Sequence, residues 1–443
     1  MDEDIASRLL ASIHANRLVI LCGAGLSMAP PSNLPSATRL AQNCAAKYSE
    51  ITGQLLDNDL KTDLERLAEH FRQTNEFQRV FIQQLIPWRE FRRKPNGGHE
   101  AIADFVTSGV VEYGITTNLD TLIEIAANKL GETDFCSSVN PSDLNRADLR
   151  HRQFIKLHGC CLIDRPNTIW CKAQLDEAPI SQRIARFKEW ITANLRERDL
   201  LIIGFWSDWG YLNSILEECV SDIEPRTVIL VDPSDELNLQ SKAPIMWSWA
   251  TNDDVNFFHV QESGSDFLDD LRRRFCLRWL INLITRSTVM YEQIIGHPYQ
   301  GQVQLNANPS TKELYSLRCD YSGVPSTEIP FYARNDNNNK VIGVLHLLLL
   351  EKGGQLSGSY YTWHGRKIRL IESSGQLMSL VRDKFSDESV IQFDTTVCAG
   401  AIDDAVPPNI VRPGEPGDII RNDPTNGWIT HRNLLEELLG DEQ

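Results

Sequence analysis

Leu18-Val19-Ile20-Leu21-Cys22-Gly23-Ala24-Gly25-Leu26-Ser27 decides how this chain folds. A short apolar run, too brief for a helix, breaks directly into two glycines one residue apart. Where a parallel strand ends in such a turn, backbone N–H groups face outward and the missing side chains let a pyrophosphate approach closely. The stretch therefore predicts a buried strand that ends in either a nucleotide-binding loop or a tight structural turn. A dinucleotide-binding dehydrogenase would carry a third Gly three residues after the second. Position 28 is Met, and Met28-Ala29-Pro30-Pro31 cannot open a regular helix.

Working outward, Ile5, Leu9 and Ile13 recur at four-residue spacing, which predicts an amphipathic helix ahead of this strand. Further short apolar runs follow at Val110–Thr116, Phe154–Leu157, Leu200–Ile203, Val228–Val231 and Phe257–Val260. Helical patterns at Leu119–Asn128, Ile180–Leu195, Leu212–Val220 and Phe267–Leu280 separate most of them. Such alternation implies an α/β fold, a doubly wound parallel sheet with helices on both faces. Asp57–Ile86 is helical in period and falls between the first two strands, so a helical insertion is expected at about 50–100, within a first domain spanning 1–285.

From 286 to 443 the texture changes to Gly, Pro and Asn punctuation, with apolar segments at Val341–Leu350, Ser357–Trp363, Lys367–Ile371 and Val390–Phe393 and a helical pattern at Gln376–Lys384. A smaller, strand-rich α+β domain is expected, with Val344–Leu350 as a strand. Asn335-Asp336-Asn337-Asn338-Asn339 reads as a turn or exposed loop, and Pro407–Asn426 as irregular.

The 443 residues carry a formal charge of −16, which argues against direct nucleic-acid binding, because neutralising phosphates needs a basic surface. No apolar run approaches the roughly 20 residues that cross a bilayer. The acidic N-terminus does not read as a secretory signal, so a cytoplasmic location is expected. Ten cysteines are too sparse for a disulfide scaffold and read as reduced core thiols.

Two more strand ends carry polar chemistry. Ile115-Thr116-Thr117-Asn118-Leu119-Asp120 puts Asn118 and Asp120 just past a strand, in the crevice where open α/β sheets bind ligands, although either could simply cap the following helix. Phe154-Ile155-Lys156-Leu157-His158-Gly159 puts an imidazole in the equivalent place, which structural packing would also explain. Three such strand ends would meet at one sheet edge.

Gly23-Ala24-Gly25-Leu26-Ser27, Thr117-Asn118-Leu119-Asp120 and Lys156-Leu157-His158-Gly159 stand in the order and at the spacing of the sirtuins, and the chain resembles that NAD-consuming family over roughly 1–260. The resemblance implies a Rossmann-like domain with NAD as substrate. Gly23, Ala24 and Gly25 would cradle the diphosphate with Ser27 near it, while Asn118 would hold the nicotinamide ribose and a water. Asp120 would hold the carboxamide, and His158 would be the general base. Leu201–Trp209, with Gly204 and Ser207, stands where the family has a Gly-Thr-Ser turn, and Val228–Asp232 where a strand delivers ribose contacts through Asp232. Thr117 replaces the family's Gln. Deacylating members follow the His with two Cys-x-x-Cys pairs that bind zinc; here only Cys160, Cys161 and Cys171 are near, so no zinc is expected.

With that module missing, the pattern looks like the sirtuin-like effectors of bacterial anti-phage defence, which hydrolyse NAD to ADP-ribose and nicotinamide. The alternatives are a protein deacylase or ADP-ribosyltransferase, or a non-catalytic NAD or ADP-ribose sensor. The resemblance also implies a homo-oligomer docked through its C-terminal domain on a HerA-type DNA-translocating ATPase, or alternatively on a short Argonaute.

Overall fold

β1 (Leu18–Cys22) is buried along its whole length, because its apolar side chains on both faces require cover on both faces. It is a central strand of the sheet in a computed structural model that describes residues 1–131, 135–145, 153–204, 213, 215, 223–301, 309–322, 336–372, 394–400 and 424–440. β2 (Tyr113–Thr116), β3 (Gln153–Lys156), β4 (Asp199–Ile203), β5 (Thr227–Val231) and β6 (Asn256–Val260) complete it in the order β3-β2-β1-β4-β5-β6, all parallel. Successive strands step to one side of β1, and β4 then returns to the other side. The order reverses between β1 and β4, at the switch point where doubly wound sheets bind ligands.

Local signals place the helices. Asp2 caps α1 (Glu3–His14), its carboxylate accepting from Asp4 N at 2.9 Å, and Ala6, Leu9 and Ile13 are buried. α7 (Ala178–Leu195) buries Ile184, Phe187 and Ile191 in one core with Val19, Leu21, Ile155 and Ile202. The helical insertion comprises α3 (Ala37–Thr52), α4 (Leu64–Gln73) and a π-helical segment Phe77–Leu85. Its first helix starts ahead of the expected range because Ser36 caps it, the hydroxyl accepting from Arg39 N. These segments have their own core of Cys44, Tyr48, Leu67, Phe71, Phe81 and Trp88.

Two compact units, Met1–Asp269 and Asp270–Gln443, divide inside one continuous helix, Gly264–Ile295; the sequence reading set the division nearer that helix's end. The second unit holds a separate mixed sheet of β7 (Gln355–Ser357), β8 (Tyr360–Trp363), β9 (Arg366–Glu372), β10 (Thr395–Ala399) and β11 (Trp428–Thr430), in the order β11-β10-β9-β8-β7. β7, β8 and β9 are antiparallel neighbours, while β9, β10 and β11 are parallel.

Two expectations fail in this unit. Val344–Leu350 is not a strand: it belongs to a helix, Asp336–Glu351. Ile342, Val344, Leu345, Leu347, Leu348 and Leu349 are all buried, so its periodicity is erased, and a fully buried helix and a buried strand look alike in sequence. The Asn-rich run is not wholly a loop, since Asp336–Asn339 opens that helix, a position Asn and Asp tolerate well. Gln376–Lys384, Val390–Phe393, most of Pro407–Asn426 and most of Leu212–Val220 lie outside the described residues. Among the described residues no helix is long and apolar enough to cross a membrane.

Candidate functional site

At the switch point the chain turns from β1 through Gly23 into the short helix α2 (Ala24–Met28). Gly23 N donates to Ile203 O at 3.0 Å, and Gly25 N to Gly204 O at 2.9 Å. A Cβ on Gly25 would stand 2.7 Å from the Gly204 Cα, and one on Gly204, whose φ is +55°, would stand 2.4 Å from Leu26 N. Glycine at 25 and 204 is therefore demanded by the close approach of the β1 turn to the end of β4. Two of the three amides expected to face a diphosphate are turned to β4 instead, so the glycine spacing serves this packing first.

Buried polar side chains converge just beyond the turn. The Ser27 hydroxyl, 1% exposed, donates to Asp120 Oδ2 at 2.8 Å and accepts from Asn118 Nδ2 at 3.0 Å. Asn118 Nδ2 also donates to Gly23 O at 3.2 Å, which ties the end of β2 to the β1 turn. Asn118 Oδ1 is buried and has no hydrogen-bond partner among the described residues. Such an orphan costs roughly 1–3 kcal/mol unless a ligand or water satisfies it. Asn118 therefore does not cap the next helix. Asp120 does: its Oδ1 accepts from Leu122 N at 3.1 Å, at the start of α6 (Leu122–Lys129), while Oδ2 holds Ser27. Thr117 N donates to Cys22 O at 3.2 Å, fixing the loop against β1.

His99 is a participant that the sequence reading missed. Its Nε2 lies 3.1 Å from Ser27 Oγ, and its Nδ1 2.7 Å from Asn96 Oδ1. Burial holds its pKa down at about 4, with Asp120 and Glu124 pulling the other way. A neutral ring has one proton, so it donates to Ser27 or to Asn96 and not to both. Asn96 and His99 form a capping box at the start of α5 (Gly97–Thr107). That cap was visible in Asn96-Gly97-Gly98-His99; the partnership with Ser27, 72 residues away, was not.

His158 follows β3, 4% exposed, and donates to the Thr117 carbonyl, next to Asn118. Burial first, then the positive charge of Arg183, hold its pKa at about 3. The imidazole is neutral at pH 7 and a weaker base than the ordinary value near 6.5 implies. One nitrogen donates to Thr117, so in that tautomer the other is an acceptor. Lys156, two residues earlier, is 1% exposed. It pairs with Glu124 Oε1 at 3.1 Å and donates to the Asp120 carbonyl. Burial, the largest single effect, opposes its charge, but Glu124, Cys160 and Asp120 together outweigh it and the net shift is upward. This buried pair ties β3 to the loop that carries Asn118 and Asp120.

The remaining expected residues lie further along the same edge or outside the description. Gly204 ends β4, and Asp232 ends β5 with its Oδ1 accepting from Ser234 N at 2.8 Å. Ser207 lies outside the described residues. Cys160, Cys161 and Cys171 are buried. Cys161 and Cys171 pack in the core of the insertion with Trp170, and burial pushes the Cys171 thiol up to about 12. Among the described residues no group of three or more His, Cys, Asp or Glu is placed to hold a metal ion.

A doubly wound sheet with converging polar groups at its switch point is the α/β architecture in which ligands bind beyond the strand ends. Residues 113–252 match the SIR2-like domain family, so this stretch of the chain is a SIR2-like domain. The match includes Asn118, Asp120, His158, Gly204 and Asp232 and begins after Ser27 and His99. Among solved structures the chain is similar to a Sir2 homologue in complex with NAD, at 16% identity over 60% of this chain and 91% of that one, with a TM-score of 0.33. It is also similar to a variant of a Sir2 homologue in complex with ADP-ribose, at 18% identity over 61% of this chain and 95% of the other, with a TM-score of 0.35. No curated protein matches.

Proposed function

We propose that the protein is an NAD+ hydrolase that cleaves the nicotinamide–ribose bond to give ADP-ribose and nicotinamide, and that it acts as the NAD-depleting effector of a bacterial anti-phage defence system. The observation that carries this reading is the buried Asn118 carbonyl oxygen, left without a partner beside Ser27 and Gly23 at the switch point. An acceptor there suits a ribose hydroxyl or the attacking water. Breaking the bond generates an oxocarbenium-like centre and releases an already neutral nicotinamide, so positioning and electrostatics matter more than strong acid catalysis. Water adds to the ribose carbon and gives up a proton, which in this reading the neutral His158 takes. Asp120, braced by Ser27 and Leu122 N, would hold the nicotinamide carboxamide.

A deacylase or ADP-ribosyltransferase would need an acceptor groove, and a sensor has no use for a base. Incubating the full chain with NAD, alone and with its neighbouring gene product, and separating the products by chromatography tests the proposal. ADP-ribose and nicotinamide in equal amounts support it; an acylated or ADP-ribosylated product, or intact NAD in both arms, rejects it. The proposal extends to a cytoplasmic homo-oligomer whose second unit docks on a HerA-type ATPase, with a short Argonaute as the alternative partner.

A further inference from the structure

A cavity of about 270 Å³ opens between the turn that follows His158 and the first turns of α7. Its wall includes Asn140, Asp164, Asn167, Gln182, Arg183 and Arg186, none of which belongs to the site described above. Arg183 is 5% exposed; it donates through Nη2 to Asn167 O at 3.1 Å. Its Nε is buried with no acceptor among the described residues. A guanidinium held out of water with a donor unmet is destabilising unless something else supplies the acceptor. Asp164 favours the Arg183 charge from nearby, but its oxygens accept from the Asn167 amide at 2.9 Å and no hydrogen bond joins them to Arg183 Nε. Arg186, three residues on along α7 and therefore on the same face, is exposed.

We infer that this cavity is a binding site for a small phosphate monoester, held by Arg183 and Arg186 and separate from the site at the switch point. Two guanidiniums face one carboxylate, so the cavity is locally positive in a chain of net charge −16. The planar forks match phosphate oxygens two at a time, and the amides of Asn140 and Gln182 add neutral donors. The volume suits a phosphate with a pentose-sized body and is below that of pockets that take larger ligands. The cavity is wired to His158: Ile169 N donates to His158 O at 3.0 Å, two residues beyond the Asn167 that Arg183 grips. The charge of Arg183 is also one of the causes of the low His158 basicity. An anion bound there would be felt at the imidazole.

The test needs no turnover. Calorimetric titration of the full chain with inorganic phosphate, ribose 5-phosphate and AMP, with acetate as the carboxylate control, should show saturable phosphate-dependent binding. Ribose 5-phosphate binding at least as tightly as AMP identifies a sugar phosphate, and the reverse order a mononucleotide. Arg186→Gln, at an exposed position, should weaken binding about 10-fold or more, the worth of one charge-assisted hydrogen bond. In [15N]arginine-labelled protein, the Nε–H resonance that Arg183→Gln removes should shift with phosphate. Binding that Arg186→Gln leaves unchanged, or acetate binding as tightly as phosphate, overturns the inference.

Discussion

Both units bury polar clusters, but the two clusters are left in different states. In the second unit Arg369 and Asp320 form a buried two-bond pair, 2.8 Å from Nε and 2.6 Å from Nη2, and Tyr361 meets the buried His346. In the first, Ser27, Asn118, Asp120 and His99 form a chain of hydrogen bonds that ends on an unanswered Asn118 oxygen. Paired charges that satisfy one another hold a fold together and offer nothing to a ligand. A network with one acceptor left over, set against a glycine turn at a strand edge, gives up some stability and leaves an unmet acceptor that a bound hydroxyl or water would satisfy.

The contrast is sharpest if mutations in the two clusters fail in different ways. His158→Ala should lower NAD turnover by roughly 10²–10⁴, the usual worth of a general base, with only a moderate fall in the thermal midpoint from the lost buried ring. Product chromatography showing full turnover would return His158 to a packing role. Asp320→Ala should do the opposite: it strands a buried Arg369, at a cost of about 3–5 kcal/mol in urea unfolding. A loss under about 1 kcal/mol would show that the pair is effectively solvated.

Asn118→Ala should reduce turnover about 10²-fold through lost positioning, and because it also removes the two buried bonds that Nδ2 donates to Gly23 O and Ser27 Oγ, it should lower stability by about 1–3 kcal/mol. An unchanged rate would mean that its oxygen meets no substrate.

Acid should weaken both units, the first, with two such rings, more than the second, with one. His158 at about 3, His99 at about 4 and His346 at about 3 are all depressed by burial. Below the unfolded value near 6.5 the unfolded chain binds protons that the folded chain refuses. Stability is therefore full above pH 6.5 and falls as pH drops towards 4, by at most about 1.4 kcal/mol per pH unit for each ring. Thermal midpoints that hold steady from pH 7 to 5 would show these rings to be hydrated. Turnover, by contrast, should show no inflection near 6.5 from His158. The smallest effect expected is none at all: treatment with a chelator should leave the protein's fold intact, and metal analysis finding about one zinc per chain would revive the deacylase reading.

The parallel sheet and its order along the chain were legible because each strand is a short apolar run that ends in Gly or a polar residue, and both faces of a doubly wound sheet select the same residue types. Gly23, Gly25, Asn118, Asp120 and His158 were legible for a related reason: strand ends in such a sheet fall on one edge, whatever the intervening lengths. Sequence could not tell that Val344–Leu350 winds into a helix, because burial on all sides removes the period that distinguishes the two. Nor could it show that His99 reaches Ser27, that Lys156 and Glu124 brace the Asn118 loop, or that Arg183 stands behind His158. Those pairings join residues tens of positions apart through packing, and local pattern carries no record of which buried polar group will face which. The same separation holds for the depressed basicity of His158: the residue type was readable in one dimension, while its burial and its charged neighbour exist only in three.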